Sequence, residues 1–202
     1  CIGSGIDLAK ALHKKLKPNV TLSKINIYKR FGTAMITHNN FKIEFVGARK
    51  ESYSKDSRNP STKPGSFMDD MLRRDFTINT LAIRLNKESF GELIDTFGGI
   101  RDISKKIIVT PNEPNKTFSD DPLRMLRDCR FISKHGFSPD NETYVAMRDN
   151  TERIKIVSTE RIRDEISKLL IGKNPSLGLR TFVESGLSSY IVPELNALKI
   201  EV

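Results

Sequence analysis

The chain has 202 residues, enough for one large domain or two small ones with a sizeable core. Its 34 Lys and Arg exceed its 25 Asp and Glu, a formal charge of +9 that points to a polyanionic partner within an otherwise globular composition. Cys1 and Cys129 lie far apart, so neither a disulfide framework nor a zinc cluster is indicated, and a reducing cytoplasm is the expected compartment. No apolar run approaches a membrane span, no membrane partner is expected, and the residues carry no signal of oligomeric state.

Taken in order, Asp7 to Leu16 places Leu8, Ala11, Leu12 and Leu16 at helical spacing, and Pro18 and Asn19 end the helix. Leu22 to Tyr28 alternates as a strand does. Thr33 to Thr37 and Lys42 to Val46 follow with Asn39-Asn40 between them, the signature of a hairpin. Gly3-Ser4-Gly5 and Phe31-Gly32-Thr33 read as turns, because no Gly-Lys-Ser/Thr phosphate loop follows either. Glu44, between Ile43 and Phe45, projects opposite to its apolar neighbours, toward a site or toward solvent. Lys50 to Gly65 has almost nothing to bury and reads as a loop, either a linker or a functional segment in which Tyr53, Lys55 and Arg58 touch a phosphate chain.

The run Arg73-Arg74-Asp75-Phe76-Thr77-Ile78-Asn79 ties polar groups to apolar ones. Arginine presents a rigid fork of donors suited to phosphate oxygens, aspartate can orient that fork, and asparagine can read a sugar hydroxyl. The plain alternative is a short basic helix entering a core strand, with Arg74 and Asp75 as a surface pair. Leu81 to Leu85 then reads as a buried strand, Glu92 to Ile94 as its short partner, and Asp95 to Gly99 as a turn. Gly99 to Lys105 reads as a helix and Ile107 to Val109 as a last strand, with Pro111 and Pro114 punctuating a boundary.

Beyond Thr117 the pattern is all helical, over Pro122 to His135, Asn141 to Asp149, Thr159 to Leu170 and Leu177 to Ser185, and a further turn starts at Pro193-Glu194-Leu195. Gly136 fits the end of the first of these helices, Ser119, Asp120 or Asp121 can cap its start, and Pro122 suits its first turn. In it Asp121, Arg124, Arg127 and Arg130 recur every third residue between apolar positions. Each such step falls about 60° short of a full circle, so the stripe spirals: neighbours can share a ligand and its ends cannot. An acid with arginines three residues on is also a common helix-stabilising arrangement.

Residues 73–79 and 120–130 together resemble the class II template-independent RNA nucleotidyltransferases, the CCA-adding tRNA nucleotidyltransferases and their bacterial poly(A) polymerase relatives. The family motif R-R-D-x-x-x-N, which holds the triphosphate and ribose of the incoming nucleotide, matches Arg73, Arg74, Asp75 and Asn79. The base-pairing motif E-D-x-x-R falls on Asp120, Asp121 and Arg124, with Asp120 standing where the family usually has Glu. The assignment agrees with base chemistry. Cytosine and adenine each offer an exocyclic amino donor beside a ring-nitrogen acceptor, complementary to one carboxylate and one guanidinium, whereas uracil and guanine offer a carbonyl beside a ring N–H.

The resemblance implies an α+β fold: a polymerase-beta-like nucleotidyltransferase head with a mainly antiparallel sheet over residues 1–116, then an all-helical neck and partial body over 117–202 that binds RNA and nucleotide. It implies transfer of C and A from CTP and ATP onto the 3′ end of tRNA, with Mg²⁺ as metal. Glu44, followed in the family by an arginine matched at Arg49, becomes a candidate catalytic acid and metal ligand, and Arg127 and Arg130 hold phosphates or pack the helix. Asp95 and Gly99 match a segment coupling head to neck, and Glu160 and Arg161 match a pair that braces the base-reading helix. The family's Gly-Gly-x-x-Arg-Asp turn and Asp-x-Asp metal ligands do not occur in these residues, so the chain is expected to be a fragment that is inactive alone. Poly(A) addition is the near alternative, and a non-catalytic RNA- or nucleotide-binding module the distant one.

Overall fold

A computed structural model of the chain describes residues 1–16, 24–54 and 57–197; Pro18, Asn19, Leu22 and Lys55 lie outside them. It divides into two compact units, residues 1–52 with 61–71, and residues 53–60 with 72–202. The contact division at 71/72 falls within the 1–116 head that the resemblance implies, residues 72–116 clustering with the helices that follow them.

In the first unit α1 (Gly5–Leu16) precedes β1 (Asn26–Tyr28), β2 (Thr33–His38) and β3 (Phe41–Val46), which form an antiparallel sheet in that order. The helix starts two residues before the expected Asp7, because the Ser4 hydroxyl accepts from the Asp7 amide at 3.1 Å and caps its first turn. Ala34, Ile36 and Phe45 are buried with Ala9 of α1. Phe45 lies opposite Ala34, and Ile43 opposite Ile36. The period of two therefore sends Glu44, opposite Met35, to the other face, where it is exposed.

The stretch expected as a loop over Lys50 to Gly65 is instead a two-stranded ribbon of β4 (Arg49–Ser54) and β5 (Ser57–Pro64). Backbone pairing needs no apolar face, so polar residues can form it without the hydrophobic alternation that marks a strand in sequence. The ribbon leads into α2 (Phe67–Leu72), entered through a reciprocal cap: Asp69 Oδ2 accepts from the Ser66 amide at 2.8 Å, and Ser66 Oγ accepts from the Asp69 amide at 3.1 Å.

The second unit begins with a 3-10 turn at Thr77–Asn79, followed by β6 (Ala82–Ile83), β7 (Leu93–Ile94), α3 (Gly99–Lys105) and β8 (Ile107–Ile108). Leu81 to Leu85 is not the buried strand its apolar run suggests: β6 has two residues, and Ile83 and Leu85 are exposed. A continuous apolar run signals burial only where both faces are covered, and β6 pairs only with β7 in a two-stranded ribbon. The helices are α4 (Pro114–Asp120), α5 (Leu123–His135), α6 (Asn141–Asp149), α7 (Thr159–Leu170), α8 (Pro175–Glu184) and α9 (Ser188–Ile191), with 3-10 turns at Thr151–Ile156 and Pro193–Ala197. This region is not all helical, since β9 (Ser138–Pro139) follows α5 and pairs in parallel with β8. The unexpected α4 follows Glu113, whose carboxylate accepts from the amides of Asn115 and Lys116 at 2.8 and 2.6 Å, and opens with Pro114.

Helix α5 is the axis of this unit. One side of it, with Leu123, Met125, Leu126 and Cys129, joins Phe118, Met147, Leu169 and Phe182 in the main core. Ile132 joins Phe76 and Ile108 in a second cluster, where the Phe131 ring meets Phe76 edge to face at 5.4 Å. Helix α8 approaches α5 so closely that a Cβ on Gly178 would stand 2.6 Å from the carbonyl oxygen of Cys129. Gly178→Ala is expected to lower the stability of the chain by about 2 kcal/mol, overpacking outweighing the gain in helix propensity, and a denaturant midpoint will measure it.

Candidate functional site

The two stretches singled out by their residue types are brought together. Asp75 is 6% exposed, and its Oδ2 accepts from Nε of Arg127 at 2.7 Å and from Nη2 of the same guanidinium. Its Oδ1 accepts from the Phe76 amide at 2.9 Å and from Nδ2 of Asn79 at 2.8 Å. Arg74 turns inward too, its Nη1 donating to the Asn79 carbonyl at 3.0 Å. The motif is therefore a closed knot and not an exposed pair on a basic helix.

Beneath it, Thr77 Oγ1 donates to Oδ2 of Asp102 at 2.7 Å and the Thr77 amide donates to the Val109 carbonyl at 2.8 Å. Asp95 caps α3, accepting from the amides of Gly99 and Ile100 at 2.6 and 3.0 Å, so Asp95 and Gly99 form a helix entry packed against this turn.

The arginines of α5 diverge as their spacing requires. Arg124, 8% exposed, donates from Nη1 to the Thr117 carbonyl at 3.2 Å and from Nη2 to the Arg73 carbonyl. Arg127 takes Asp75, and Nε of Arg130 meets Oε2 of Glu165 on α7 at 2.8 Å. Asp121, of the three possible caps, accepts from the Leu123 amide at 3.3 Å, while Asp120 ends α4. The acid of α7 that meets α5 is thus Glu165, and Glu160 and Arg161 are exposed beside Arg163, Asp164 and Ser167.

Glu44 belongs to the first unit, where Nε of Arg49 donates to Glu51 at 2.9 Å and the Arg49 amide to Asp70 at 3.4 Å. Among the described residues no group of three or more His, Cys, Asp or Glu is placed to hold a metal ion. Glu44, exposed on a strand, would supply one carboxylate of the Mg²⁺ site that the resemblance implies, whose Asp-x-Asp ligands do not occur in these residues.

Asp128, Asp102 and Glu165 carry roles that sequence reasoning missed. For Asp128 a signal existed, a carboxylate on the apolar side of α5 between Arg127 and Cys129; for Asp102 and Glu165 the partner is known only from the fold. Asp128 is fully buried, and both its oxygens lack a hydrogen-bond partner. Burial raises its carboxyl well above the ordinary 3.8, and the charges of Asp140 and Asp75 push the same way. For Asp75 burial also acts upward, but Arg127, Asn79 and the Phe76 amide outweigh it and hold the group below 3.8.

The two shifts have opposite consequences in pH. A depressed folded value means that Asp75 stabilises the protein above 3.8 and that this contribution is lost as pH falls through the folded value. A raised folded value means that Asp128 keeps a proton which the unfolded chain has released, so stability declines as pH rises above 3.8. Asp128→Asn is expected to remove a decline of about 1.4 kcal/mol per pH unit and to raise stability at neutral pH. Arg127→Met, which strands the buried Asp75, should cost about 3 kcal/mol. Urea titrations from pH 4 to pH 8 will read both.

The family described as the poly A polymerase head domain matches residues 5–109, and the one described as the probable RNA and SrmB binding site of polymerase A matches residues 136–199. A CCA-adding enzyme of Limosilactobacillus reuteri is 41% identical over 161 residues, covering 79% of this chain and 39% of its own length. The chain thus spans about two fifths of this curated relative. A solved tRNA-processing enzyme with CTP superimposes with a TM-score of 0.78 at 30% identity, over 94% of this chain and 48% of that one. A tRNA nucleotidyltransferase complexed with a primer tRNA and an incoming ATP analog does so with a TM-score of 0.76 at 29% identity, over 94% and 52%.

Proposed function

The chain belongs to the poly(A) polymerase head-domain family of class II nucleotidyltransferases, and from that premise we propose that it supplies the nucleotide-holding part of an enzyme that adds C and A from CTP and ATP to the 3′ end of tRNA. The observation that carries this reading is the joining of residues 73–79 to α5, across 51 and 52 positions of chain, by Arg124 on the Arg73 carbonyl and Arg127 on Asp75. The relatives that bind CTP, an ATP analog and primer tRNA support the substrates.

In this reading Arg74, Asp75 and Asn79 hold the triphosphate and ribose. Asp121 accepts from the amino group of the base, and Arg124 donates to its ring nitrogen. Arg124 suits that role because two carbonyls fix its guanidinium while leaving further N–H donors, and a planar fork so held lends its geometry to a ligand. UTP and GTP would set a carbonyl against Asp121 and an N–H against Arg124, mismatches of about 1 to 3 kcal/mol each where water is excluded. Arg127 holds the Asp75 carboxylate, and Arg130 packs α5 on α7. Asp95 and Gly99 anchor the turn, Asp120 leads into the base-reading pair, and Glu160 and Arg161 offer an exposed polar edge at the start of α7. Magnesium enters by resemblance alone, and Glu44, the acid put forward for it, makes no metal site without further ligands. A cytoplasmic setting agrees with a tRNA substrate, and no helix among the described residues is long and apolar enough to cross a membrane.

Calorimetric titration of the 202-residue chain with CTP, ATP, UTP and GTP tests the proposal. CTP and ATP are expected to bind selectively, and Asp121→Ala to reduce that selectivity by roughly 10- to 150-fold, the equivalent of one lost charged hydrogen bond. Equal binding of all four would overturn the base-reading roles of Asp121 and Arg124.

A further inference from the structure

Thr77 is the most constrained residue of the turn between Asp75 and Asn79. Its amide donates to the Val109 carbonyl at 2.8 Å, its hydroxyl donates to Asp102 at 2.7 Å, and its carbonyl accepts from the Thr80 hydroxyl at 2.7 Å. Beside that carbonyl lies Gly99, where a Cβ would approach to 2.6 Å. Asp102 itself is 0% exposed, and its second oxygen accepts from Nε of Arg101 at 3.0 Å. Thr77 thus meets two residues of α3, Gly99 at its start and Asp102 one turn on.

The position of this peg matters for Asp75. The two groups that donate to Asp75 Oδ1 are the Phe76 amide and the Asn79 side chain, which flank Thr77 on either side. If the turn shifts, both donors shift, and the Asp75 carboxylate rotates away from Arg127. We propose that Asp102 is a positioning residue for the nucleotide site: through Thr77 it fixes the turn that aims Asp75 and Asn79. The inference rests on the function proposed above for its consequence in binding, and on the geometry of this unit alone for its consequence at Arg127.

Two readouts separate these dependencies. Solvent exchange of the Arg127 Nε–H, followed by NMR, reports the Asp75–Arg127 pair without any nucleotide, and ATP titration reports the site. Thr77→Val removes the hydroxyl with little change in shape, Asp102→Ala removes its acceptor, and Thr77→Ser restores the donor. Ser133→Ala deletes another buried hydrogen bond of the same unit, to the Leu169 carbonyl at 2.5 Å, and controls for lost stability. Thr77→Val and Asp102→Ala are expected to speed Arg127 Nε–H exchange and weaken ATP binding at least tenfold at a temperature where circular dichroism shows the chain folded. Thr77→Ser and Ser133→Ala should stay within twofold on both readouts. Arg127 exchange unchanged in Thr77→Val would overturn the proposal whatever nucleotide does. If the parent chain binds no ATP, the functional reading fails, and the exchange measurement still decides the role of Asp102. If Asp102→Ala does not fold, Thr77→Val decides it.

Discussion

The pairing of Asp75 with Arg127 is the interaction on which the second unit depends. A carboxylate taken out of water costs several kcal/mol unless its lone pairs are filled, and here four donors fill them: two from one guanidinium, one amide and one side-chain amide. The first two come from α5, and the others from the turn that follows Asp75. One buried charge thereby welds a local motif to a distant helix, and the aromatic contact of Phe76 with Phe131 packs the same junction. Removing Arg127 would leave the Asp75 carboxylate buried without its charged partner, whereas Arg127, a third exposed, would keep access to water.

Around that weld, labour is divided by side-chain chemistry. Arg124 serves neutral carbonyls, Arg127 a carboxylate shared with a local motif, and Arg130 a carboxylate on a neighbouring helix. Asp128, one residue on from Arg127, is fully buried without a hydrogen-bond partner, and burial favours its protonated form. Two adjacent residues of one helix thus lie in opposite electrostatic regimes, because a helix turns by about 100° per residue. The same argument places Glu44 outside any buried network: a strand alternates its faces, and the face of β3 that is covered belongs to Phe45.

How much of this was legible depended on whether a residue's partner lay nearby in sequence. The helices over Asn141 to Asp149 and Thr159 to Leu170 match their apolar periodicity to the residue, because that periodicity states which face is buried. The β2–β3 hairpin was visible in its alternation and its Asn39-Asn40 turn. The β4–β5 ribbon was hidden because polar strands show no alternation, and β9 because two residues pairing with β8 leave no pattern. Within the candidate site, the residue types of 73–79 and the three-residue spacing in α5 picked out two stretches that the fold joins. They did not show that Asp75 would take Arg127, or that Arg130 would find Glu165 while Glu160 stayed exposed. Asp102 carried no local signal, since its meaning comes from a threonine 25 positions earlier.

The spiral of the three arginines has a mechanical consequence. Successive guanidiniums leave α5 about 60° apart, so Arg124 and Arg130 depart roughly 120° from one another, each fastened to a different element. A rod pinned on one side can roll; a rod guyed from three directions cannot. Rotation of α5 about its axis that relaxes one anchor tensions another, so the helix behaves as a spindle with a single rest angle. A ligand that pulled on Arg124 would therefore be felt as torque at Asp75 and at Glu165 together.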